Sequence, residues 1–196
     1  MNPRNRLLAL LALFGLCLAG LTVFVFLGQG LRRPGAPAAS GIGGPFRLTA
    51  QDGTLVTDKD LLGGPALVFF GYTHCPDVCP TTLFELSEVF AKLGKNKKIA
   101  GIFITVDPGR DTPAALKDYL ASFDPRIRGL SGDPAAIDSV KKAYRVYAKR
   151  IEGADGGYTY DHTALVYLID KEGRFVNAFN LDRRPEEAAK ELAAYF

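Results

Sequence analysis

Two cysteines four positions apart, Cys75 and Cys79, stand in FFGYTHCPDVCPTT at residues 69–82, after an apolar run and before a stretch with helical spacing. Such a pair can be a structural staple, a redox couple or part of a metal site. A helix N-terminus stabilises negative charge through its unpaired N–H groups and dipole, so thiols placed there are expected to ionise more readily. Four residues of helix or tight turn bring both sulfurs to one side, within reach of a disulfide or of one shared ion. The Pro-Asp-Val insert and the flanking Thr-His and Pro are unlike the surroundings of inert core cysteines.

The chain has two histidines, His74 and His162. Two thiolates and one imidazole make a soft-leaning set of three donors that suits Cu(I) and, with a further weak ligand, can hold Cu(II). Zinc accepts the same donors, but a structural zinc site wants four protein ligands, and no second CxxC or HxxxH is present. His74 adjoins Cys75, and neighbouring side chains in an extended turn diverge, so it is read as tuning local charge. Met1 is the only methionine, so no methionine-rich copper motif assists.

The elements around these residues alternate. Phe46–Ala50 and Thr54–Thr57 flank Gln51-Asp52-Gly53, a hairpin signal. ALVFFG (66–71) and IAGIFITV (99–106) are continuous apolar runs of the kind buried on both sheet faces. Pro80–Leu93 has helical spacing at Leu83, Leu86, Val89, Phe90 and Leu93, with Pro80 suited to the first turn. Asp111 is expected to cap a helix over Thr112–Phe123, and Asp133-Pro134 to open another through about Tyr144. A short strand is expected over Arg145–Ile151, then a loop over Glu152–Asp161. Ala164–Ile169 and Arg174–Asn180 read as a hairpin, and Pro185–Phe196 as a closing helix. This order predicts an α/β domain with a mixed sheet flanked by helices, the order of thioredoxin-like folds. In such a sheet His162, directly ahead of the strand expected beside ALVFFG, reaches the cysteines from across the fold.

Other candidates near the site carry competing readings. Asp161 can support His162 or the metal from behind, or be an ordinary loop acid. Asp107, Arg110 and Asp111 can shape a partner surface, but Asp-Pro and Asp-Thr-Pro are what turns and caps use, and that reading is preferred. Tyr158 and Tyr160 are expected to pack the loop.

At the front, Leu7–Leu27 runs 21 residues without a charge, a helix of roughly 31 Å that matches a bilayer's hydrocarbon thickness. This exceeds a cleavable signal's apolar region and predicts an uncleaved single-pass anchor over residues 1–31. Cys17 lies inside it, with Leu16 before it where a lipoprotein needs a small residue, and is read as inert. Arg4 and Arg6 precede the span and Arg32 and Arg33 follow it, so the positive-inside count favours an exported domain only slightly. Residues 32–45, RRPGAPAASGIGGP, read as a tether to a domain over 46–196. The bulk charge of +3 belongs to the anchor: setting those four arginines aside leaves 20 basic against 21 acidic residues. The domain therefore lacks a basic footprint for nucleic acid.

YTHCPDVCP (72–80), VDPGRDTP (106–113) and YDHTALVYLID (160–170), in this order and spacing, resemble the Sco/SenC family of membrane-anchored copper proteins across essentially all of residues 46–196. The resemblance implies a thioredoxin-like fold and a copper site made by Cys75, Cys79 and His162. It also implies delivery of copper to the dinuclear CuA centre of cytochrome c oxidase, with the copper-bearing subunit II as recipient and other copper chaperones or thiol reductants as further partners. The location implied is a single pass of the inner membrane with the domain in the periplasm, or in the mitochondrial intermembrane space of a eukaryote. A thiol-disulfide oxidoreductase using Cys75 and Cys79 is the competing function; it leaves His162 unexplained, and its usual spacing is CxxC. A peroxidase reading finds no Thr-x-x-Cys motif, and a purely structural anchored domain leaves the cysteine motif without a task.

Overall fold

The computed structural model describes residues 41–95, 97–154 and 156–196, together with Gly15 and Gly20. The expected anchor over 1–31, those two glycines aside, and most of the expected tether over 32–45 lie outside the described residues. Among the described residues no helix is long and apolar enough to cross a membrane.

The turn at Gln51-Asp52-Gly53 produces the expected hairpin, β1 (Arg47–Ala50) against β2 (Leu55–Thr57). ALVFFG becomes β3 (Ala66–Gly71), buried along its whole length, as a strand covered on both faces must be. It feeds α1 (Val78–Leu93), which turns Leu83, Leu86, Val89 and Phe90 to the core. Then follow β4 (Ala100–Thr105), α2 (Pro113–Leu120), β5 (Ile127–Ser131) and α3 (Pro134–Ala143). A hairpin of β6 (Ala148–Glu152) and β7 (Tyr158–His162) precedes β8 (Val166–Ile169), β9 (Phe175–Ala178) and α4 (Pro185–Leu192).

Seven strands form one mixed sheet in the order β2-β1-β5-β4-β3-β8-β9, with β3, β4 and β5 parallel and the others antiparallel. Parallel neighbours in register point the same way, so Phe69, Phe103 and Gly129 share one face with Gly71 and Gly101. Helices α1 and α2 cover that face: a Cβ on Gly101 would meet Phe90 of α1, and one on Gly129 would stand 2.6 Å from Leu120 of α2. Helix α4 packs on α1. The opposite face carries Phe70 and Tyr167, closed by Tyr144 at the end of α3, with ring centroids 5.3 and 5.7 Å away.

Four expectations need correction. Helix α1 begins at Val78, two residues before Pro80, which puts Cys79 inside its first turn. The cap of α2 is Thr112, whose side chain accepts from Ala115 N, while the fully buried Asp111 bonds elsewhere. Half of the stretch 152–161 is strand, Glu152 and 158–161, because β7 pairs with β6 from Ala148↔His162 to Glu152↔Tyr158. Strand β5 was not expected: its Arg128 and Gly129 interrupt the apolar run, yet α2 crosses so close that only glycine fits at 129.

Candidate metal centre

Parallel strands end together, and the C-terminal end of β3 is where the site is built. Beyond Gly71 the chain passes through Tyr72, Thr73 and His74 to Cys75, whose N–H donates to the Tyr72 carbonyl at 3.2 Å. This turn sets Cys75 beside the first turn of α1 and thus beside Cys79. Both are free thiols. Cys79 is 0% exposed and Cys75 9%; both are buried, Cys75 the less deeply of the two. Gly71 makes the room: a Cβ there would stand 2.6 Å from Cys79 Sγ and 2.7 Å from Phe103 Cε2.

His162 arrives from the far side of the fold as the last residue of β7. Side chains alternate along a strand, so Tyr158, Tyr160 and His162 share the half-buried face. The imidazole stands edge-on to Tyr72 and Phe69, with ring centroids 5.7 and 6.4 Å away. Its Nδ1 lies 3.1 Å from the Thr163 carbonyl. A carbonyl only accepts, so the proton belongs on Nδ1 and the Nε2 lone pair is left for a proton or a metal. Nε2 is 3.5 Å from Cys79 Sγ, and the donor atoms of Cys75, Cys79 and His162 all lie within 4.8 Å of one another. The three expected residues therefore converge, though more than eighty positions of sequence separate the imidazole from the thiols.

The electrostatics differ from expectation at Cys79. Its place in the first turn of a helix was expected to favour the thiolate, but burial pushes this thiol well up. Desolvation of a charge outweighs the helix-end field there. A cation held by the three donors supplies the missing charge, since coordination draws the proton from a thiol outright. The donor set fits a soft, low-coordinate ion.

The other candidates fall into place around this cluster. His74 is exposed, its Nδ1 3.0 Å from Thr73 Oγ1, and it is not part of the cluster. Asp161 is exposed on the opposite face of β7 from His162. Asp107 and Asp111 are 2% and 0% exposed; Asp107 does open a turn, its carbonyl accepting from Arg110 N at 3.2 Å, whereas the reading of Asp111 as a cap is corrected. Asp111 accepts from Thr73 N at 3.1 Å, Thr73 Oγ1 at 2.6 Å and Thr105 Oγ1 at 2.6 Å. Asp107 accepts from Arg110 Nε and from the Tyr158 hydroxyl.

Sequence reasoning assigned nothing to Tyr72 or Thr159. The Tyr72 hydroxyl is 2.6 Å from Thr159 Oγ1 and accepts from Tyr160 N at 3.3 Å, which fastens the histidine hairpin to the end of β3. A tyrosine directly ahead of the cysteine turn was the available signal, but nothing in the sequence announces its partner 87 residues away.

The family model described as SCO1/SenC matches residues 34–196. A SCO2-like protein of Rickettsia conorii is 42% identical over 149 residues, covering 74% of this chain and 73% of that protein. Among solved structures, Bradyrhizobium japonicum ScoI with copper bound is 63% identical, covering 79% of this chain and 99% of that one, with a TM-score of 0.77. Arabidopsis thaliana ScoI with copper bound is 37% identical, covering 79% and 97%, with a TM-score of 0.73. Since the family match takes in the CxxxC turn, the VDPGRDTP loop and the histidine strand alike, this chain belongs to the SCO1/SenC family.

Proposed function

We propose that this chain is a membrane-anchored copper metallochaperone. It binds one copper ion between Cys75 Sγ, Cys79 Sγ and His162 Nε2 and hands it to the CuA centre on subunit II of cytochrome c oxidase. The observation that carries the reading is the convergence of two thiols and one imidazole within 4.8 Å, in a chain 63% identical to a protein solved with copper bound. The recipient follows from the family resemblance of the three motifs, and the anchor over 1–31 with the domain facing the periplasm follows from the 21-residue apolar span and the same resemblance.

Graded exposure suits the transfer. An acceptor's thiol or imidazole displaces a ligand by association, and the outermost ligand goes first. His162 is half-buried on a hairpin, Cys75 keeps a small exposed fraction and Cys79 has none. This orders release as imidazole, then Cys75, then Cys79, so copper is never without a sulfur donor until the acceptor holds it. Both thiols must be reduced, because a Cys75–Cys79 disulfide removes two donors at once; delivery thereby depends on the redox state of the compartment.

The alternative, a thiol-disulfide oxidoreductase acting on the cysteines of an oxidase subunit or another exported protein, is favoured by two free thiols side by side. Titration of the reduced protein separates the two. The copper reading expects saturation at one ion, an intense thiolate charge-transfer band with Cu(II), and a sharp loss of affinity in His162→Ala. Unaltered copper affinity in that variant, together with full disulfide reductase activity, selects the oxidoreductase.

A further inference from the structure

His162 rides on a two-stranded sheet, β6-β7, that shares no ladder with the seven-stranded sheet carrying the thiols. Something other than strand pairing must hold the imidazole over the sulfurs. The loop between β4 and α2, VDPGRDTP at 106–113, contributes no member of the donor cluster, yet its two acids and its arginine bond to the segments that carry the donors.

We propose that this loop is a two-armed brace that sets the distance between the thiol pair and the imidazole. Asp111 holds the cysteine turn through Thr73, and the Asp107–Arg110 pair holds the histidine hairpin through Tyr158. The inference rests on the copper reading for its consequence but on contacts alone for its mechanics.

The thiol arm is made of charge-assisted bonds to a carboxylate that is itself fully buried. Asp111 receives the backbone N–H and the hydroxyl of Thr73, two residues before Cys75, and the hydroxyl of Thr105 at the end of β4. Thr105 Oγ1 in turn accepts from Asp107 N at 2.9 Å, so the two acids are tied through one hydroxyl. A buried carboxylate given three donors fixes all three, because loss of any one leaves part of its charge unmet.

The histidine arm grips the hairpin by both its backbone and a side chain. Arg110 donates Nε to Asp107 and NH1 to the Tyr158 carbonyl at 3.2 Å, and the Tyr158 hydroxyl donates to Asp107 at 3.1 Å. The Arg110 guanidinium also lies 3.6 Å from the Tyr158 ring centroid and that of Arg150 3.7 Å. Two cations so close to one centroid must take opposite faces, so the ring is clamped between them. Lysine could not reproduce this, since a planar fork is needed to meet a carboxylate, a carbonyl and a ring together. These are positioning residues, acting on copper only through Cys75 and His162.

The test uses the full-length chain with four variants. Tyr158→Leu and Thr73→Val each remove the side-chain contact of one arm while leaving its backbone contact and both buried acids with partners; Arg110→Ala and Asp111→Ala are the stronger forms. Hydrogen-exchange mass spectrometry on the metal-free chain is expected to show faster exchange at 158–163, with 73–81 unchanged, for Tyr158→Leu and Arg110→Ala, and the reverse for Thr73→Val and Asp111→Ala. Unchanged exchange in both segments, or equal loosening of both by either arm, overturns the brace whatever binds at the site. Copper affinity supplies the coupling. Tyr158→Leu is expected to weaken binding about tenfold in the wild-type background and less than twofold in His162→Ala, whereas Thr73→Val weakens it to a similar extent in both. Equal effects of Tyr158→Leu in the two backgrounds would show that it does not act through the imidazole. Arm-specific loosening with copper affinity untouched by His162→Ala would instead leave the brace standing and remove the ligand assignment.

Discussion

Gly71→Ala is a small perturbation with a calculable effect. The added Cβ would stand 2.6 Å from Cys79 Sγ and 2.7 Å from Phe103 Cε2, where ordinary contact is 3.4–4 Å. Both neighbours are 0% exposed, so a shift of roughly 1 Å has to be absorbed inside a packed layer. Overpacking of this kind costs about 1–3 kcal/mol. Replacing glycine also narrows the unfolded ensemble, a gain of about 0.4–1 kcal/mol where the backbone tolerates alanine. The difference spans about 0–2.6 kcal/mol and centres on about 1.3 kcal/mol, for which Tm falls by roughly 3–5 °C in a domain of this size. The displaced atom is a proposed copper ligand, so affinity for Cu(I), measured by competition with a chromophoric chelator, is expected to fall at least tenfold. Urea denaturation of the metal-free protein reads the stability term separately, with a lower midpoint and an unchanged m-value. A variant as stable as wild type and as tight for copper would refute the claim that Gly71 makes the space in which Cys79 sits.

The roles of two neighbours at the start of α2, Asp111 and Thr112, are separated by substitution. Thr112→Ala removes the cap of α2 and is expected to cost about 1 kcal/mol, whereas Asp111→Ala takes a buried carboxylate from three donors, the buried Thr105 hydroxyl among them, and is expected to cost more than about 2 kcal/mol; equal losses in chemical denaturation would restore Asp111 as a cap. Asp124 has its carboxyl held below the usual range, chiefly by hydrogen bonds from Arg126. A depressed carboxylate contributes stability that is present above its unfolded value near 3.8 and is lost as pH falls through its lower folded value. Arg126→Ala is therefore expected to lower stability by about 1 kcal/mol at pH 7 and by progressively less below pH 4, and a difference that held constant down to pH 2 would contradict the pairing. Tyr72→Phe deletes the hydroxyl that joins β3 to the histidine hairpin; a loss of about 1 kcal/mol with faster amide exchange at Thr159 and Tyr160 is expected, and unchanged exchange would mean the bond does not hold the hairpin.

Much of the fold was legible because burial writes itself into runs and periods. ALVFFG announced β3 to the residue, and Asp133-Pro134 announced α3, where Asp133 accepts from Ala136 N. What escaped was set by tertiary contact. Strand β5 carries a glycine that weakens its own signal because α2 passes over it, and β7 looks like a loop because its polar and aromatic alternation pairs with a strand that is itself mostly exposed. At the site, the donor types and their convergence followed from cysteine spacing and sheet topology. The state of Cys79 did not: the helix end was visible in sequence, whereas the desolvation that outweighs it depends on packing between Gly71 and Phe103. The acids of VDPGRDTP misled for a similar reason. Short Asp motifs look alike whether they cap a helix or anchor a buried network, and only the fold distinguishes them.

In the proposed copper site, sulfur from Cys75 and Cys79 meets nitrogen from His162 around one copper ion. X-ray absorption spectroscopy of the Cu(I)-loaded, reduced full-length protein reads that shell directly. Two sulfur scatterers and one imidazole are expected, with the imidazole's outer-shell signal absent from His162→Ala. A shell of sulfur alone in the wild type, or an imidazole signal that survives the substitution, would contradict it.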